Sequence, residues 1–140
     1  MQLTTSIALA LSMAFGAQAP ATDTPAATLP PVQTVREYVA EYFADAPIMI
    51  AVASCESHFK HYDSNGAVHR GVQNNKDVGV MQVNEYYHLK RSKELGFDIY
   101  TVQGNTAYAR YLYEREGTTP WLSSSACWGK SKHSPIAAAQ

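Results

Sequence analysis

Between Pro47 and Glu56 the chain is almost continuously apolar, and this run limits the folds open to it more than any other. Ile48, Ala51, Val52 and Cys55 recur at spacings of three and four, the period that places side chains on one face of an α-helix. Pro47 suits the first turn of such a helix, where its missing N–H would have had no partner. An apolar helix must pack against other elements, and this one carries Glu56 into that setting at its C-terminal end. Burial disfavours the charged form of a carboxyl group, and the negative end of the helix dipole acts in the same direction. The pattern therefore predicts a carboxyl group that keeps its proton to higher pH than a surface glutamate does.

The chain has 140 residues, 46% of them apolar, which is room for one domain with one sizeable core. Residues 1–19 read as a cleavable export signal: apolar from about Ile7 to Ala14, small residues at Ala17-Gln18-Ala19, and no acidic residue before Asp23. No Lys or Arg precedes the apolar stretch, so a buried N-terminal helix is the competing reading. Residues 20–33 are rich in Pro, Ala and Thr without apolar periodicity, as expected of an extended linker. The folded domain is expected over residues 34–130, with a flexible tail at 131–140. After the signal, no apolar stretch approaches the roughly 20 residues of a membrane helix, so no stable membrane insertion is expected. A net charge of -1 gives no nucleic-acid signal.

Within the domain, Thr34 can cap a first helix reaching about residue 44. Asp63-Ser64-Asn65-Gly66 is a turn signal, and a small irregular β-hairpin is expected over residues 59–75. Asn84 can cap a helix that Gly96 ends, and residues 101–116 form the clearest helix, stopped by Gly117. The expected fold is mainly α, with that short hairpin beside the helices.

Cys55 and Cys127 are the chain's cysteines. In an exported protein two cysteines far apart in sequence read as one disulfide, and two buried thiols are the alternative. Cys55-x-x-His58-x-x-His61, with Asp63 nearby, offers zinc-type ligands. Its spacing matches no strong zinc motif and an oxidised Cys55 could not ligate, so neither a metal nor a cofactor is expected.

Two motifs carry a resemblance to the lysozyme-like superfamily, over roughly residues 48–128. Glu56-Ser57 and Gly79-Val80-Met81-Gln82 are similar, in that order, to the Glu-Ser and Gly-Leu-Met-Gln motifs of soluble lytic transglycosylases. Val83-Asn84-Glu85-Tyr86-Tyr87-His88 resembles a run in goose-type lysozymes, with Asn84 in the acidic place. Asp77 to Asn84 also resembles the Asp-x-Gly-x-x-Gln-x-Asn motif of chicken-type lysozymes. Asn105 and Tyr111-Leu112 resemble a transglycosylase helix with one residue fewer between them.

The resemblance implies an α+β lysozyme-like fold with an active-site cleft that binds peptidoglycan glycan strands. Glu56 would be the general acid. Asp77 would be either the second carboxylate of a hydrolase or a backbone-turn residue. Ser57 would orient Glu56, contact sugar or cap the helix. Met81, Gln82, Asn84, Tyr108 and Trp121 would be substrate-binding, with core packing as the other reading for Met81 and for the aromatic residues, Tyr86 and Tyr87 among them. The implied activity is cleavage of the β-1,4 bond between N-acetylmuramic acid and N-acetylglucosamine by a secreted, periplasmic or envelope monomer. A lytic transglycosylase fits the motifs first, a hydrolytic lysozyme second, and a non-catalytic peptidoglycan-binding module third.

Overall fold

The computed structural model describes residues 32–131. The expected signal at 1–19, most of the linker and the tail beyond Ser131 lie outside the described residues. What is described is mainly helical, with a very small antiparallel sheet.

Helix α1, Val35–Tyr42, opens with a full capping box. The Thr34 hydroxyl accepts from the Glu37 N–H at 3.2 Å, and the Glu37 carboxylate accepts from the Thr34 N–H at 2.8 Å. Helix α2, Pro47–Ser57, has Pro47 in its first turn and buries Ile48, Met49, Val52, Ala53 and Ser57. It is the hub of the domain, packed against α1, the C-terminal 3₁₀ segment and the last helix. The chain leaves it through His58 and Phe59, both at positive φ, which turns it sharply away from Glu56.

The β structure lies later than the sequence pattern suggests. Residues 59–75 hold only the isolated bridges Tyr62↔Val68 and Arg70↔Val78, the first closing the Asp63–Gly66 turn. The ladder is instead β1, Asp77–Val78, against β2, Val83–Asn84. In the earlier stretch the backbone pairs only irregularly, Asp63 N–H with the Ala67 carbonyl and His69 N–H with the His61 carbonyl, and side-chain bonds add to it. Arg70 donates to the carbonyl of Asn75 and to both oxygens of Glu85, fastening that loop to the start of α3.

Helix α3, Glu85–Glu94, begins under Asn84, whose Oδ1 accepts from the Tyr86 and Tyr87 N–H groups. Helix α4, Val102–Glu116, is capped by Thr101 and stopped by Gly117. A 3₁₀ segment, Thr119–Ser124, bends at Trp121 and leads into α5, Ser125–Trp128. Cys55 and Cys127 form a disulfide that joins α2 to α5, with the Cα atoms 6.0 Å apart. That bond excludes Cys55 as a metal ligand, and no metal-type cluster of His, Cys, Asp and Glu occurs among the described residues. No helix among them is long and apolar enough to cross a membrane.

Between β1 and β2 the chain passes through the middle of the domain as irregular backbone, and side chains satisfy its polar groups. Asn105 of α4, fully buried, accepts from the Met81 N–H at 2.8 Å and donates to the carbonyls of Val78 and Ile99 at 3.0 and 2.9 Å. Gly79 is required beneath it. Its φ is +72°, and a Cβ there would lie 2.7 Å from both Asn105 Nδ2 and His61 Cε1.

Reduction of the disulfide should lower stability by about 4 kcal/mol on the chain-entropy model for so long a loop. Intact mass after thiol blocking checks the bond itself: labelling of both cysteines without reductant would show it is absent. Asn105→Ala strips three buried backbone groups of their partner and should cost about 3 kcal/mol or more in denaturant unfolding. A loss below about 1 kcal/mol would mean that the loop is held by something else.

Candidate active site

Glu56, at the C-terminal end of α2, faces a cleft of about 310 Å³. Its walls come from α2, both strands, α3, α4 and the 3₁₀ segment. β1 brings Asp77, β2 brings Asn84, the turn between them brings Gln82, and the 3₁₀ segment closes one side with Trp121. Helix α4 ends there with Glu116, so two helices deliver carboxylates to the cleft from their C-terminal ends.

Glu56 is half-buried and its pKa is raised above the usual carboxylate range. Desolvation is the main cause, and the negative charge of Asp77 adds to it. The Ser124 hydroxyl acts in the opposite sense by donating to Glu56 Oε1 at 2.6 Å. A carboxyl group so placed keeps its proton to higher pH than an exposed glutamate does, and it has an opening through which to give it to a bound molecule.

Asp77 is held by amides. Asn84 Nδ2 donates to its Oδ1 at 2.7 Å and Asn74 Nδ2 at 3.3 Å, while its backbone carbonyl accepts from Gly71. Asp77 thus has the turn role and a place in the cleft at once. Asn84 links that carboxyl to α3, since its Nδ2 holds Asp77 and its Oδ1 caps the helix. Gln82 has a φ of 50°, and its side-chain amide donates to the Gly79 carbonyl at 2.9 Å. This leaves its Oε1 available to a ligand.

Three residues expected to touch substrate are placed elsewhere. Ser57 is buried and faces away from the cleft, its hydroxyl 2.7 Å from the Val80 carbonyl and 3.2 Å from that of Ala53. It neither orients Glu56 nor reaches the opening; it ties the end of α2 to the central loop. Met81 is fully buried in the core, because the loop turns its side chain inward and offers its backbone to Asn105 and Trp121. Tyr108 is also core, stacked on Tyr111, with its hydroxyl 3.1 Å from His88 Nδ1. Trp121 does line the cleft while almost fully buried, its indole N–H donating to the Met81 carbonyl at 2.8 Å.

His61 is used structurally. Its Nδ1 accepts from the Val80 N–H at 3.1 Å, so the proton is on Nε2, which donates to the Tyr100 carbonyl at 3.0 Å. Burial lowers its pKa, in keeping with this neutral form.

Sequence reasoning missed Ser124, Glu116 and His88. A signal for Ser124 was present: if Cys127 pairs with Cys55, residues one turn before Cys127 come close to Glu56, and Ser123-Ser124-Ser125 stands there. Tyr86 and Tyr87 are 77% and 74% exposed beside the opening, their rings edge to face at 4.9 Å. The chain matches no family model, no curated protein and no solved structure.

The raised pKa of Glu56 makes stability depend on pH. The folded state keeps a proton that the unfolded chain has released, so this contribution is fully present below the ordinary carboxyl value and is lost as pH rises through the folded value. Glu56→Gln should therefore raise Tm by a few degrees at about pH 7 and leave it nearly unchanged below about pH 4. An equal change at both pH values would show that the Glu56 carboxyl is not desolvated.

Proposed function

We propose that this protein cleaves peptidoglycan glycan strands at the β-1,4 bond between N-acetylmuramic acid and N-acetylglucosamine, as a lytic transglycosylase. The reading rests above all on Glu56, a desolvated carboxyl group with a raised pKa that faces an open cleft. The resemblance of its Glu-Ser and Gly-x-Met-Gln motifs to those of the transglycosylases points to the same group.

In this reading protonated Glu56 gives its proton to the glycosidic oxygen as the C1–O bond breaks, and positive charge develops on the muramoyl ring. The Glu56 carboxylate then takes the proton of the muramoyl 6-hydroxyl, whose oxygen bonds to C1. The product is a 1,6-anhydromuramyl end and no water is consumed. Gln82 offers an amide oxygen to the N-acetyl groups of the strand, and Trp121 forms an apolar wall for a sugar face.

A hydrolytic lysozyme is the second reading, and one observation favours it. Asp77 lines the same cleft as Glu56, close enough to raise its pKa, and both amide bonds to its carboxyl go to Oδ1. The other oxygen is left to meet charge on the sugar or to direct a water. The Cys55–Cys127 disulfide fits an oxidising compartment, so the proposed place of action is outside the cytoplasm, in the periplasm, in the envelope or beyond.

Digestion of purified sacculi with mass analysis of the soluble fragments tests both readings. Glu56→Gln should stay folded, bind sacculi and lose at least about 100-fold in rate. Undiminished release by this variant would remove Glu56 from the mechanism. Asp77→Asn should keep substantial activity, with products lighter by one water than hydrolysed ends. If Asp77→Asn is as inactive as Glu56→Gln while folded, and wild-type products carry reducing ends, the hydrolase replaces the transglycosylase.

A further inference from the structure

We infer that Ser124 is a positioning residue for Glu56, holding one carboxyl oxygen in place through both protonation states of the acid; its catalytic meaning rests on the function proposed above. The geometry carries this. Ser124 Oγ lies 2.6 Å from Glu56 Oε1 and 3.1 Å from the Trp121 carbonyl, and a hydroxyl has one proton to give. When Glu56 is ionised the hydroxyl donates to Oε1, a short charge-assisted bond. When Oε1 carries the proton, Ser124 can accept it and turn its own hydrogen to the Trp121 carbonyl. When the proton is on Oε2, the bond to Oε1 persists. The carboxyl group keeps its place in each case, as a group that acts first as acid and then as base requires.

Both partners are fixed from behind. Glu56 is the neighbour of Cys55, and Ser124 lies three residues before Cys127, so the disulfide joins the two backbones beside the hydrogen bond. Trp121, at the bend of the 3₁₀ segment, is pinned by its indole bond to the Met81 carbonyl, and its own carbonyl also accepts from Trp128 Nε1 at 3.0 Å. The hydroxyl is thus carried on a frame that cannot drift from Glu56 without breaking the disulfide or those bonds.

The experiment compares wild type, Ser124→Ala and Ser124→Thr by ¹³C NMR titration of the Glu56 carboxyl, assigned with Glu56→Gln, and by the pH profile of sacculus digestion. Ser124→Ala removes a donor that favours the ionised form, so the carboxyl midpoint and the alkaline limb of the rate should move up by roughly one pH unit. Its kcat should fall about 10-fold or more, with KM changed by less than about 2-fold. Ser124→Thr should restore both, because it keeps the hydroxyl. Ser124→Gly removes the same group and gives the same readout if the alanine variant folds poorly. A wild-type midpoint in Ser124→Ala, with Glu56→Gln inactive, overturns the role of Ser124 and leaves the acid standing. A shifted midpoint with full activity in Glu56→Gln supports the bond between the two side chains and overturns the acid.

Discussion

The domain depends on how a short piece of irregular backbone is satisfied in its centre. Between Val78 at the end of β1 and Val83 at the start of β2 the chain crosses buried ground as irregular backbone, and unpaired buried peptide groups are costly. Four side chains from different parts of the chain meet that demand. Asn105 takes the Val78 carbonyl and the Met81 N–H, His61 the Val80 N–H, Ser57 the Val80 carbonyl, and Trp121 the Met81 carbonyl. The loop is therefore where α2, α4, the 3₁₀ segment and the turn after α2 are fastened together. Each fastener is a hydrogen bond in low dielectric, strong when made and expensive when lost.

This arrangement makes the cleft rigid where it needs to be. Asp77 stands just before the fastened segment and Gln82 just after it, so both inherit its fixed position. Glu56 is adjacent to Ser57, which holds the same segment from the other side. Glu56, Asp77 and Gln82 are thus set relative to one another largely through one network of buried bonds. Such fixed placement suits the general acid catalysis proposed for Glu56.

The helices were legible in the sequence because local signals mark them: the Thr34 box, Pro47 at the start of α2, the Asn84 cap, and Thr101 and Gly117 around α4. The place of Glu56 was legible too, since an apolar run that ends in an acid leaves few other options. The partners of Ser57, Met81 and Asn105 were not. A polar side chain in the sequence does not say whether it will face a ligand or a peptide group many residues away, and here the non-local peptide groups won. The Gly79-Val80-Met81-Gln82 motif reads as a substrate grip, yet three of its four residues are buried in the interior and Gln82 alone lines the cleft. The regular ladder was not legible: residues 59–75 pair only irregularly around the Asp63–Gly66 turn, braced by side-chain bonds of Arg70, Asp63 and Glu85 that no strand pattern encodes.

A desolvated acid is a local cost, and its placement explains why the crosslink stands where it does. Burial disfavours ionised Glu56 in the folded protein, and ionised is the state in which the proposed general acid would spend part of each cycle. Relaxation would bring the carboxylate out to water, and it would have to begin by separating the end of α2 from the 3₁₀ segment. The Cys55–Cys127 bond closes that route at the residue next to Glu56, and the two indole bonds of Trp121 and Trp128 close it on the other side. A crosslink elsewhere could restrict the unfolded chain as well, because that effect depends on loop length alone. One beside Glu56 also holds that carboxyl in the setting that raises its proton affinity, so the stability of the domain and the chemistry proposed for it draw on the same bond.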